Sequence, residues 1–203
     1  MKLDLYRAHS AEYRATRAPA LVHIKSAAYL AIEGRGAPGG KAFTEAIQAL
    51  YGMAFTIKMA RKKSGRDYAV CKLEGLWWSS RKSGDFLPEP RDQWNWKLLI
   101  RTPDFIRERD RTDALTVLAA RGKTAPVKQV RLETLDEGPC VQMLHVGPYE
   151  RESETIAVMK EFARASALVF TGRHHEVYLS DPRRVAPARL RTILRHPVRE
   201  ASR

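Results

Sequence analysis

Two carboxylates stand where a strand pattern ordinarily buries apolar side chains. Glu176 lies inside His174-His175-Glu176-Val177-Tyr178-Leu179, and Glu74 directly precedes Gly75-Leu76-Trp77-Trp78. An acid in such a strand is costly to desolvate, so it either pairs with a nearby arginine or faces a ligand. Strand alternation puts His174, Glu176 and Tyr178 on one face and His175, Val177 and Leu179 on the other. All four tryptophans, Trp77, Trp78, Trp94 and Trp96, fall within one twenty-residue window. Trp94 and Trp96 would share a strand face, Trp77 and Trp78 would point oppositely, and each ring either fills the core or walls a pocket. Tyr51 and Tyr149 offer further rings and hydroxyls. Carboxylates beside aromatic faces suit a cation, each cation–π contact contributing ~0.5–2 kcal/mol. The same groups stabilise positive charge at a carbon under attack by water, while one carboxylate takes the water's proton. Binding and hydrolysis therefore call on the same residues.

Other motifs point nowhere. Gly34-x-Gly36-x-x-Gly39 matches the dinucleotide fingerprint in form, but Pro38 interrupts the loop and Thr56-Ile57-Lys58-Met59 supplies no ribose-binding acid. His174-His175-Glu176 lacks metal-ligand spacing, because neighbouring strand residues face opposite ways, so neither a metal nor another cofactor is expected. There is no Gly-x-Ser-x-Gly elbow, and Cys71 and Cys140 read as small apolar residues of a reduced compartment.

The elements that must hold these residues follow from periodicity. Val22–Ile32 reads as a strand ending in a Gly-Pro loop, followed by a helix from Phe43 to Lys58 and strands at Asp67–Trp78 and Trp94–Arg101. The stretch 79–93 reads as a connecting loop. Asp104 caps a helix that Gly122 stops. Strands at Val127–Leu135 and Cys140–His145 come next, then a Gly147-Pro148 loop, a helix with Ile156, Met159 and Phe162 on one face, and the strand His174–Leu179. Strand, loop, helix and strand thus occur twice, over approximately 20–101 and 125–182. Leu30–Gly34 overlays Met143–Gly147, and Lys72-Leu73-Glu74 overlays His174-His175-Glu176. The expectation is one α+β domain over 1–203 built of two similar halves, with a C-terminal helix at 187–196.

Charge excludes less than its sum suggests. The 203 residues carry 36 Lys+Arg against 23 Asp+Glu, a formal +13. Residues 58–72 contribute +5 and residues 183–203 contribute +6, so most of the excess is local. Arg183, Arg184, Arg189, Arg191, Arg195 and Arg199 form a dense run that would contact phosphates, yet no recognised nucleic-acid motif accompanies it and it reads equally as a solvated face. Apolar stretches are too short for a membrane span, and no secretory segment opens the chain, which makes the cytoplasm the expected location.

Several stretches together resemble the GyrI-like small-molecule-binding family. They are Ile32-Glu33-Gly34-Arg35-Gly36-Ala37-Pro38, Leu73-Glu74-Gly75-Leu76-Trp77-Trp78, His145-Val146-Gly147-Pro148-Tyr149-Glu150 and His174–Pro182, with Leu190–Arg195 similar to the family's final helix. The resemblance implies a duplicated strand-helix-strand-strand (SHS2-like) unit with pseudo-twofold symmetry and a ligand cleft between the halves. It implies capture of bulky hydrophobic or cationic aromatic molecules and, in one subfamily, hydrolysis of cyclopropane-bearing DNA-alkylating natural products through an aromatic cage with acids. On that basis Glu176, Glu74 and Tyr178 are the expected catalytic set, and Trp77, Trp78, Trp96, Tyr51, Tyr149 and His145 the expected ligand walls, in a monomer or homodimer. About twenty residues precede the first strand, too few for a helix-turn-helix domain. The alternatives are a nucleic-acid binder and a protein that associates with DNA gyrase without a small ligand.

Overall fold

The computed structural model describes residues 2–79, 90–123 and 125–201. In chain order the elements are α1 (Leu5–Ala8), α2 (Ser10–Tyr13), β1 (Ala20–Ile24), β2 (Ala27–Arg35), α3 (Lys41–Lys63), β3 (Glu74–Trp78), β4 (Asn95–Arg101) and α4 (Glu108–Ala120). They continue with β5 (Arg131–Leu135), β6 (Gly138–Val146), α5 (Glu152–Ala165), β7 (Leu168–Phe170), β8 (His174–Tyr178) and β9 (Arg191–Glu200). These form two compact units, one of Met1–Ser10 and Ala27–Leu135, the other of Ala11–Ser26 and Asp136–Arg203.

The first unit is an antiparallel sheet in the order β3-β4-β2-β5. Helix α3 forms because Phe43, Ala46, Leu50, Met53, Ala54 and Ile57 recur at three- and four-residue steps and bury one stripe. That stripe joins Leu30 and Ile32 of β2 and Leu98 and Ile100 of β4 in one core. The opposite sheet face buries Ala27, Tyr29, Ala31, Leu76 and Leu99. Gly34 lies directly opposite Trp96 in the β2–β4 ladder. A Cβ there would enter the Trp96 indole ring, so this position needs glycine for space.

The second unit is antiparallel in the order β8-β9-β6-β1, with β7 also paired to β9. The two units share a topology. In each, strand, helix, strand and strand follow in sequence (β2-α3-β3-β4 and β6-α5-β8-β9), and the last strand lies between the other two. The fourth partners are exchanged: β1, which precedes β2 in the chain, pairs with β6, and β5, which precedes β6, pairs with β2. The expected strand Val22–Ile32 is accordingly two strands broken at Lys25-Ser26.

Three further expectations change. The C-terminal helix at 187–196 is a short 3-10 turn at Pro187–Arg189 followed by the ten-residue strand β9. Thr192 to Arg195 are all buried because this strand is central, with β6 on one side and β8 on the other, so its apolar run lacks the alternation of a half-exposed strand. Arg195 therefore leaves the proposed surface arginine run, being 1 % exposed. Helix α4 is capped at Arg107 rather than Asp104, with Asp110 accepting from the Arg107 backbone N–H at 2.9 Å. Within the expected strand Asp67–Trp78, only Glu74–Trp78 is extended in a ladder, and Tyr68 makes an isolated bridge to Leu3. Residues 80–89 of the expected 79–93 loop lie outside the described residues.

Candidate functional site

The second unit brings together an acidic and aromatic cluster. β6 delivers His145 and ends in Gly147, whose φ of 146° reverses the chain in a conformation that disfavours a side chain. Pro148 then leads into a 3-10 turn, Tyr149–Arg151, and α5 begins at Glu152. His145 ties this corner down: its Nδ1 lies 2.8 Å from Thr155 Oγ1 in α5 and its Nε2 lies 3.1 Å from the Pro148 carbonyl oxygen. A carbonyl only accepts, so Nε2 carries the proton toward Pro148. Both ring nitrogens of His145, expected as a ligand wall, thus meet groups of this corner, and the side chain is buried.

Strand β8 supplies the other side. Tyr178 pairs with Thr192 of β9, Glu176 pairs with Leu194, and His145 also pairs with Thr192 across β6–β9. Glu176, Tyr178, Thr192 and His145 therefore share the face that carries the start of α5. The Tyr149 and Tyr178 rings meet edge to face, 6.0 Å apart at 86°. Glu152, 6 % exposed, lies against Glu176 and Thr192 within hydrogen-bonding reach, and its Oε1 is buried without a hydrogen-bond partner. Glu176 is 7 % exposed, with its Oε1 3.5 Å from His174 Nε2.

Burial, and then the neighbouring Glu176, push the Glu152 carboxyl well above the usual carboxylate range. A carboxyl at the first position of a helix ordinarily favours its charged form. Here desolvation and the second acid outweigh the helix dipole and favour the neutral form of Glu152. Burial also raises the Tyr149 phenol to about 12, with Glu152 and Glu176 adding to the shift. The corner thus holds one carboxyl pushed toward its neutral form, a second carboxyl beside it and a phenol that stays a hydrogen-bond donor. Such a set can take a proton from water and return one to a departing fragment.

Sequence reasoning missed Glu152. Its signal is an acid on the apolar stripe of α5, where Glu152, Ile156, Met159 and Ala163 follow at steps of four, three and four and are all buried.

The remaining expected residues lie in the first unit. Trp77 and Trp96 face each other in the β3–β4 ladder and are 3 % and 2 % exposed in the core beneath α3. Phe43 stacks on Trp77 at 5.7 Å and meets Trp96 edge-on at 5.4 Å. Both indoles, expected as pocket walls, are buried here in the core beneath α3. Trp78 points to the other face, beside Leu76 and Leu99, as expected for adjacent strand residues. Tyr51 is half-buried on α3 and stacks with Phe55 at 6.1 Å.

Glu74 is fully buried on the sheet face opposite α3. The registers show why it is not the counterpart of Glu176. Ile32 pairs with Leu98 as His145 pairs with Thr192, which makes Leu99 the equivalent of Ile193. Glu74 pairs with Leu99 and Val177 pairs with Ile193, so Glu74 occupies the position of Val177. The overlay of Glu74 on Glu176 is one residue out, and one residue in a strand reverses the face.

Among the described residues, no group of three His, Cys, Asp or Glu side chains is placed to hold a metal ion. Residues 18–199 match the model of a family described as GyrI-like small molecule binding domain. A crystal structure of an uncharacterized conserved protein from Listeria innocua is 36% identical with a TM-score of 0.90, covering 98% of this chain and 100% of its own. A crystal structure of a hydrolase from the same organism is 35% identical with a TM-score of 0.87, at the same coverage. The EcmrR C-terminal domain, 12% identical over 90% of this chain and 98% of its own, has a TM-score of 0.59 and shares the fold alone. No curated protein matches the chain.

Proposed function

The chain belongs to the GyrI-like small-molecule-binding family, and from that premise we propose that it is a small-molecule hydrolase acting on bulky, aromatic, strained electrophiles. The observation that carries this reading is the buried Glu152–Glu176 pair beside the Tyr149–Tyr178 ring contact. The hydrolase described for the Listeria innocua relative supports it.

The substrate class is cyclopropane-bearing alkylating natural products, and lipophilic aromatic cations are bound without turnover. Tyr149 and Tyr178 offer ring faces and edges to the ligand, and positive charge at the ring carbon is stabilised by the carboxylate. Glu176 removes a proton from water as its oxygen bonds to that carbon, the carbon–carbon bond breaks, and its electron pair passes to the remainder of the ligand. His145 has no step of its own and holds the Tyr149 corner in place. No helix among the described residues is long and apolar enough to cross a membrane, and the reading places the action in the cytoplasm, where such compounds reach DNA.

Incubation with a cyclopropane-bearing alkylator, followed by mass spectrometry, tests the reading through a product heavier by one water. Glu176→Gln is expected to slow ring opening by ~10²–10⁴-fold, the usual contribution of a positioned base. Ring opening at the wild-type rate in that variant removes Glu176 from the mechanism, and no ring opening by the wild type ends the hydrolase reading.

A further inference from the structure

We infer that the outward ridge of α3 docks this protein on an anionic lipid surface. The ridge lies in the first unit, whereas the hydrolase reading rests on residues of the second. α3 buries one apolar stripe against its sheet, and a helix of this kind ordinarily turns polar side chains to the other side. Here the other side carries Phe55 and Met59, one turn apart and 52 % and 49 % exposed. Tyr51, one turn before Phe55, is half-buried and stacks on it with ring centroids 6.1 Å apart. Single exposed apolar residues need no explanation, but adjacent ones rimmed by charge mark a contact surface. The rim has one sign. From Ala46 to Arg66 the chain contains no acid and holds Lys58, Arg61, Lys62, Lys63 and Arg66. Lys58 pairs with Asp67 at 3.2 Å and Arg61 with Asp110 at 2.6 Å, so both are offset within the fold. Lys62 and Lys63 are exposed, and Lys62 follows Phe55 by seven residues, two turns along the same side. Cations in a last turn complement the helix dipole, which accounts for the lysines but not for Phe55 and Met59.

The occupant must be anionic and must accept a convex apolar ridge. A second copy of the chain brings the same acid-free surface and meets it with like charge. An amphipathic peptide is bound in a groove, and a ridge along one helix offers none. Nucleic acid would contact the lysines and leave Phe55 and Met59 in water. A bilayer surface takes both parts. Phe55 and Met59 enter the boundary between headgroups and acyl chains, the amphipathic Tyr51 ring lies at headgroup level, and Lys62 and Lys63 reach the lipid phosphates.

Co-sedimentation with vesicles of phosphatidylcholine and phosphatidylglycerol tests the surface, with pure phosphatidylcholine vesicles alongside. The expected result is binding to the mixed vesicles that weakens as salt is raised and is absent from the neutral ones. Phe55→Ser with Met59→Ser is expected to weaken it by ~10²-fold through lost apolar burial. Lys62→Gln with Lys63→Gln is expected to weaken it by ~30-fold, about fivefold for each cation. Val158→Ser, which removes an exposed apolar side chain of α5, should bind as the wild type does. All five positions are exposed, so each variant should keep the wild-type melting temperature. No binding to the mixed vesicles overturns the inference, as does binding that the Phe55 and Met59 double variant retains or that Val158→Ser loses. A dimer in solution that the same double variant dissociates assigns the ridge to a second copy and overturns it as well.

Discussion

Replacing Glu137 with glutamine is expected to remove about 3 kcal/mol of stability at pH 7 and almost none at strongly acidic pH. Glu137 stands at the turn before β6, with its side chain 3 % exposed. Its Oε2 lies 2.8 Å from His175 Nδ1 and 3.3 Å from Arg195 Nη1. Arg195, 1 % exposed, also donates to Gln142 Oε1 at 2.9 Å and to the Glu12 carbonyl at 2.8 Å. Burial alone would raise the Glu137 carboxyl, but His175 and Arg195 outweigh it and hold the group at about 2. Against an ordinary 4.5, a difference of roughly 2.5 units corresponds to ~3 kcal/mol. A second route agrees: removing one partner of a buried ion pair leaves a desolvated charge and costs ~3–5 kcal/mol. The folded pKa is depressed, so the contribution is complete above about 4.5 and is lost as pH falls through 2. At pH ~3.5 the difference between the two proteins should be smaller by ~1 kcal/mol. Urea unfolding of wild type and Glu137→Gln at the two pH values provides the measurement. A difference below ~1 kcal/mol at pH 7, or one that does not shrink on acidification, would refute the reasoning. His196 also titrates on acidification, but it does so in both proteins and cancels in the comparison.

Four other outcomes are expected. Gly34→Ala, which drives a Cβ into the Trp96 ring, should cost ~1–3 kcal/mol by overpacking, and an unchanged melting temperature contradicts that contact. His196, whose ring stacks on Phe170 at 4.1 Å, is lowered to about 4 by burial and then by His174. Its neutral form therefore stabilises the fold above about 6.5 and that contribution is lost as pH falls toward 4. NMR should show the ring unprotonated at pH ~5.5, and a midpoint near the ordinary value would disprove its burial as the cause. A double-mutant cycle of Tyr149→Ala and Tyr178→Ala should give a coupling of ~0.5–1.5 kcal/mol in stability, and strictly additive losses would deny the edge-to-face contact. His145→Ala frees Thr155 and the Pro148 carbonyl and should lower both stability and turnover, with Tyr149 gaining mobility by NMR; a rigid Tyr149 corner in that variant argues against the clamp.

The glutamates show where one-dimensional reasoning stops. The strand-helix-strand-strand order, the apolar stripe of α3 and the opposed directions of Trp77 and Trp78 are consequences of local periodicity, which neighbours along the chain fully specify. Glu176 was identifiable as an acid in an apolar strand, and the resemblance to GyrI-like proteins rested on contiguous motifs. Its partner was not identifiable as such. Glu152 meets Glu176 only because β6, β8 and β9 pair in a particular register, and register depends on hydrogen bonds between segments far apart in sequence. The same dependence moved Glu74 to the opposite face, sent β1 and β5 to the sheets of each other's following strands, and buried Arg195 in a central strand where a surface helix was expected. Sequence by itself determined which side chains alternate, which helix faces are apolar and which acids are out of place. Tertiary structure decided which acids meet and pushed Glu152 toward its neutral form, because desolvation and charge–charge repulsion act through space between groups that the chain order does not bring together.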